Sequence, residues 1–168
     1  MSGLITTLDR LVGKIEYTLL IGLTASLTMI LAAQVVLRYF FNSPLFWAEE
    51  VAVQILISAT FIGVSYLLHT NKLVRVDLLL AALSGAAAVW MERLLNLVVL
   101  ATLLVLCYYA TDWILRPEIK ADVSPTTGLP RWYNYGVLVA SFYCMCWHQL
   151  IQLLCPPAKP VLVEEAAA

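Results

Sequence analysis

The chain has 168 residues, of which 62% are hydrophobic and 12% charged, with a formal net charge of −1 and a mean hydropathy of +0.86. A soluble domain carries about a quarter charged residues, so this composition excludes an ordinary water-soluble fold and predicts an all-α membrane protein with bilayer lipid as its solvent. The near-neutral charge and the lack of any basic run exclude a nucleic-acid binder.

Residues 1–14 form a polar leader in which Asp9, Arg10 and Lys14 alternate with Leu4, Ile5, Leu8, Leu11 and Val12. That spacing suits a helical turn or two in the membrane interface. The next apolar stretch, about 15–37, is long enough to span a ~30 Å hydrocarbon core. It is too long for the apolar region of a cleavable signal, and Ala32-Ala33-Gln34 is a poor cleavage site.

Arg38 to Glu50 is a polar knot between two spans. Asn42, Ser43 and Pro44 break the helix, because proline donates no N–H and disfavours helix in the residue before it. Trp47 opens span two, about 48–68, with Glu49 and Glu50 near the positive end of the helix dipole. Arg38, at the end of span one, is expected to meet Glu49 or Glu50 at the membrane surface among aromatic neighbours.

After a turn at His69 to Lys72, Asp77 is a candidate N-cap for an amphipathic segment over about 77–90. This piece is too short to cross outright and is expected to lie along the interface or to cross obliquely, with Ser84-Gly85 as a bend. Span three covers about 94–115. Residues 116–131, with Pro117, Pro125, Pro130 and Gly128, read as an external loop. Span four covers about 132–154, opening at Trp132, and Pro156, Pro157 and Pro160 begin a tail over 156–168 expected to be disordered. The expected domain organisation is thus a leader, a four-span membrane domain over 15–155 and a tail. There is no internal repeat. Four spans put both termini on one side, and the Lys and Arg distribution places them in the cytoplasm by five residues against four.

Glu50, Gln54, Ser58, Ser65 and His69 share one face of span two. Such a stripe reads either as an ion or proton path or as a helix-packing seam, with Ala52, Ala59 and Gly63 allowing close approach. The seam is favoured, because both ionisable ends sit at the membrane surface. His69 and His148 fall toward one membrane side, where two imidazoles could ligate a haem or simply be interfacial. Cys144 and Cys146 point to different helix faces and lack a second ligand pair for zinc. The external loops contain no cysteine pair for a disulfide oxidase. No nucleophile–base set or phosphate loop appears, so no enzyme and no cofactor is expected.

Three segments carry a family resemblance. Arg38-Tyr39-Phe40-Phe41-Asn42-Ser43-Pro44 followed by Trp47-Ala48-Glu49-Glu50 resembles the start of the small membrane subunit (DctQ-type) of tripartite ATP-independent periplasmic (TRAP) transporters. Gly63 through His69, with Val74-Arg75-Val76-Asp77, is similar to the segment after that family's second span. Thr127 to Tyr135 resembles the entry to its fourth span, although Gly136-Val137-Leu138-Val139 departs from the expected Pro-Gly-like pair.

The resemblance implies an accessory, scaffold-like subunit of the bacterial inner membrane. It would brace a large multi-span permease during sodium-coupled uptake of an organic acid delivered by a periplasmic binding protein. Arg38, Trp47, Glu49, Glu50, Gln54, Ser58, Gly63, His69, Asp77 and Trp132 are the residues expected at the periplasmic corner or in contact with partner and lipid. The rival expectations are a haem- or quinone-bearing redox anchor and a self-sufficient homo-oligomeric transporter.

Overall fold

A computed structural model describes residues 2–43, 45–73 and 86–154. Five helices occupy them: α1 (Ser2–Phe40), α2 (Phe46–His69), α3 (Ala86–Leu115), α4 (Pro117–Ala121) and α5 (Trp132–Leu154). Four of these are long and apolar enough to cross a membrane. Among the described residues the only extended pairing is one isolated bridge between Val123 and Pro130. The chain is an all-α, four-span membrane protein.

α1 runs unbroken for 39 residues, so residues 2–14 are helical and continuous with the first span rather than separated from it. Nothing in the leader stops a helix: it has no proline, and its two glycines, Gly3 and Gly13, cost about 1 kcal/mol each relative to alanine. At ~1.5 Å per residue α1 is roughly 58 Å long, well beyond a ~30 Å core, so it tilts or projects past the lipid. The amphipathic segment expected over 77–90 is only partly visible: residues 77–85, Asp77 among them, and the tail 156–168 lie outside the described residues, while 86–90 belong to α3.

The turns follow from local chemistry. Asn42 and Asn71 take left-handed backbone angles, φ 51° and 56°, which asparagine tolerates better than other non-glycine residues. After α2, the N–H of Lys72 reaches Leu67 O at 3.0 Å and that of Asn71 reaches Leu68 O at 3.2 Å, the double bond that closes a helix through a left-handed residue.

Contacts along the helices fix their directions. α1 and α2 are antiparallel, with Gln34 opposite Glu49, Tyr17 opposite Tyr66 and Asp9 opposite His69. α2 and α5 run parallel: Ser58 meets Asn134, Phe61 meets Phe142 edge-on at 5.6 Å, and Gln152 donates to Leu68 O. α3 returns antiparallel on α5, through Gln149 to Asn96 O at 3.1 Å, Cys107 to Cys146 at 3.4 Å and Thr111 to Tyr143 at 2.9 Å. The lateral order is therefore α1, α2, α5, α3. Leu68, Leu103 and Met145 form the small apolar core where the inner helices meet α3.

Burial follows that order. Of each span's apolar stretch, 39% is buried inside the chain for α5 but only 6% for α1 and for α3.

Candidate functional site

The described polar groups gather at two ends of the array. At the first end, the C-terminus of α1 meets the N-termini of α2 and α5. Glu50 lies one turn into α2, facing the loop that precedes α5. Its carboxylate accepts from Arg131 Nη2 at 2.9 Å and from the backbone N–H of Thr126 at 3.3 Å, and the Thr126 hydroxyl also donates to it.

The loop is held for this contact by a small hairpin. Ser124 N bonds Leu129 O and Gly128 N bonds Ser124 O, each at 2.8 Å, and Arg131 N bonds Asp122 O at 3.0 Å. Gly128 has φ +68°, a conformation that glycine adopts without penalty. The Glu50 contact holds the Arg131 guanidinium above its ordinary pKa, with Asp122 adding to the effect. Asp112 does the same for Arg116. Both side chains therefore stay cationic at any biological pH.

The expected pairing of Arg38 with Glu49 or Glu50 does not form. Glu50 is taken by Arg131, and Glu49 accepts from Gln34 Nε2 at 3.0 Å. Arg38 is exposed and makes no ion pair among the described residues. Gln34 lies one turn earlier on α1 and reaches Glu49, whereas the Arg38 side chain, near the end of the helix, is exposed.

The remaining expected residues are scattered. Trp47 is 44% and Trp132 38% exposed, and Trp132 stacks on Tyr133 at 4.1 Å. The Gln54 carbonyl faces the Ser58 hydroxyl at 3.0 Å, and the Ser58 hydroxyl lies 2.7 Å from Asn134 Oδ1. Gly63 faces Leu20 of α1, so that a Cβ there would come within 3.7 Å of its methyl group. A groove of about 430 Å³ runs along this end, lined by Glu49, Glu50, Val53, Gln54, Ile57, Arg131, Asn134 and Tyr135.

The second end is drier. His69, the last residue of α2, places Nδ1 3.1 Å from Asp9 Oδ2. His148 of α5 places Nδ1 2.6 Å from Asp9 Oδ1 and Nε2 3.3 Å from Glu16 Oε2. Glu16 in turn accepts from the Ser65 hydroxyl at 2.6 Å, with the Cys144 thiol beside it. His148 is 1%, Ser65 0% and Glu16 5% exposed.

Gly13 makes the close approach of His69 possible: a Cβ there would lie 2.5 Å from His69 Nε2. The two imidazole centroids are 4.7 Å apart and both rings are bound through Asp9, which leaves no room for a porphyrin between them. The haem reading has no geometric support.

Asp9, Glu16 and Gly13 are not singled out by the sequence reading as members of this cluster, and Glu16 is an acidic residue buried within the first span. The signal was present: Asp9, Gly13 and Glu16 recur at i, i+4 and i+7 on one helical face. On α5, Ser141, Cys144, His148 and Gln152 form a similar stripe at i, i+3, i+7 and i+11. Seen from one helix at a time, each resembles an interfacial residue.

Fold and polar groups together define a multi-pass helical membrane protein whose polar side chains tie its own helices together and whose outer helices bury few of their residues within the chain. The profile of the family described as "Tripartite ATP-independent periplasmic transporters, DctQ component" matches residues 27–156, and the chain belongs to that family. It is 24% identical, over 80% of its length and 70% of the relative's, to the ectoine TRAP transporter small permease protein TeaB of Halomonas elongata. It is 26% identical, over 80% of its length and 86% of the relative's, to a putative TRAP transporter small permease protein of Haemophilus influenzae. The chain is thus a multi-pass inner-membrane TRAP transporter subunit, a transport component rather than an enzyme.

Proposed function

We propose that the chain braces a large multi-span permease during sodium-coupled uptake of an organic acid handed over by a periplasmic binding protein. The observation that carries this reading is the contrast in burial. α1 and α3 cover only 6% of their apolar stretches within the chain, so a helical partner has two long faces to grip. Many polar groups of the inner helices bond within the chain, as suits a rigid brace.

The termini lie in the cytoplasm in this account, supported by the excess of Lys and Arg on that side. The Glu50–Arg131 end then faces the periplasm, where the binding protein docks, with Arg38 and Trp47 exposed beside it. The carboxylate-bearing ectoine named for one relative is consistent with an organic-acid substrate class.

The test is purification of the tagged chain from cells expressing its neighbouring genes, followed by transport in proteoliposomes. Recovery of a stoichiometric large permease, with uptake that needs a sodium gradient, the binding protein and this chain, is the expected result. A chain that purifies with lipid alone under these conditions contradicts the bracing role.

A further inference from the structure

We propose that Asp9, His69 and His148 bind one divalent transition-metal ion, zinc by the chemistry of the donors, which staples α1, α2 and α5 at the end remote from Arg131. The proposal does not depend on the transporter reading.

The donors already surround one point. One ligand atom from each of the three residues lies within 4.8 Å of the other two. Zinc takes imidazole nitrogen and carboxylate oxygen at about 2.0–2.2 Å in a tetrahedron, whose ligand atoms are then roughly 3.3 Å apart. Asp9 stands 2.6 Å from His148 Nδ1 and 3.1 Å from His69 Nδ1, so a small parting of the side chains would seat the ion. The fourth position is left to water, as in other three-ligand zinc sites.

The surroundings match those of a ligating histidine. A metal-bound imidazole turns its other N–H to a carboxylate, which fixes the tautomer and is itself hydrogen-bonded. His148 Nε2 faces Glu16 Oε2 at 3.3 Å, and Ser65 holds the other Glu16 oxygen at 2.6 Å.

A separate observation points to a missing partner. His69 Nδ1, a donor atom of the proposed site, is buried without a hydrogen bond: Asp9 is near enough for an ion pair but at an angle unfit for a hydrogen bond, whereas His148 Nε2 and Glu16 Oε2, also without one, already face each other. Buried polar atoms are otherwise almost always satisfied. Charge agrees as well. Two carboxylates, two neutral imidazoles and one dication sum to zero, so the bound ion would leave no net charge in a largely buried site.

The experiment uses the full chain in detergent, with its partner subunit if one co-purifies and with any affinity tag removed. The protein is stripped with a chelator and dialysed against zinc, and the metal per chain is measured by mass spectrometry. Cobalt(II) is then substituted and its visible absorption recorded. The expected result is one zinc per chain and the intense cobalt bands of a tetrahedral nitrogen–oxygen site, both lost in Asp9→Asn and His69→Gln. Glu16→Gln should weaken binding roughly tenfold or more, as carboxylate partners of ligating histidines do. Asp9 and His69 are partly exposed, so their variants serve even where His148→Gln fails to fold. Zinc content in the wild type no greater than in Asp9→Asn, or no cobalt bands, overturns the proposal and leaves the four groups as a proton-bridged tie.

Discussion

The two polar ends of the molecule both set carboxylates against basic side chains, arginine at one and histidine at the other, and reach opposite results. At one, Glu50 meets Arg131 in a groove open to the surroundings, with the two side chains 15% and 34% exposed. At the other, the Glu16 and His148 side chains are 7% and 0% exposed, Asp9 and His69 close the outer side at 16% and 18%, and every neighbour is supplied by another helix. Exposure decides what a charged contact is worth. An open pair gains little in high dielectric and is screened by salt, while removing one member of a buried set strands the others without water. The wet end suits contact with other molecules. The dry end holds three helices in register.

Variants can break that contrast. The largest effect belongs to His148→Ala, which leaves the Asp9 and Glu16 carboxylates facing a hole. Thermal unfolding in detergent should register a loss of about 3–5 kcal/mol, the range for a buried ionic group deprived of its partner. Gly13→Ala comes next. The new Cβ would sit 2.5 Å from His69 Nε2 and push the ring off Asp9, costing about 1–3 kcal/mol for a forced contact. The gain in helix propensity, about 1 kcal/mol, offsets only part of it, so the variant should be less stable in the same assay and its His69 should become accessible to histidine-directed modification.

At the open end, Glu50→Ala should barely change unfolding of the isolated chain. It should free the 122–131 hairpin to proteolysis and reduce recovery of the large permease in pull-down. Arg38→Glu is expected to have the smallest effect on the chain itself, since Arg38 is exposed and makes no ion pair among the described residues. Any consequence should appear only in assembly, with substrate preference unchanged. An intact complex of altered specificity from either variant would remove the scaffold reading.

Much of this architecture was legible in the residues. The four apolar runs predict four crossing helices because backbone groups in lipid must be satisfied within a span, and the stripe from Glu50 to His69 marks the face of α2 that meets α1 and α5. The buried cluster was not legible, for a physical reason. Asp9 and Glu16 fall near the start of the first apolar run, where carboxylates normally meet water, and only the continuation of α1 through Gly13 brings them against α2 and α5. The pairing of Arg38 failed on a similar point: proximity in sequence across the corner suggested it, but the residue that reaches Glu50 comes from the loop before α5, some eighty positions away. Long-range partners of surface charges leave no periodic trace in a single sequence.

The claim that the dry end holds the helices together is tested most directly by a double-mutant cycle between Asp9 and His148, read by unfolding of the detergent-solubilised chain. The account predicts a coupling in the upper part of the range of about 0.5–3 kcal/mol seen for residues sharing one network, and a much smaller one for Glu50 with Arg131. Additive effects of Asp9→Asn and His148→Gln, or a stronger coupling at the Glu50–Arg131 end, would contradict it.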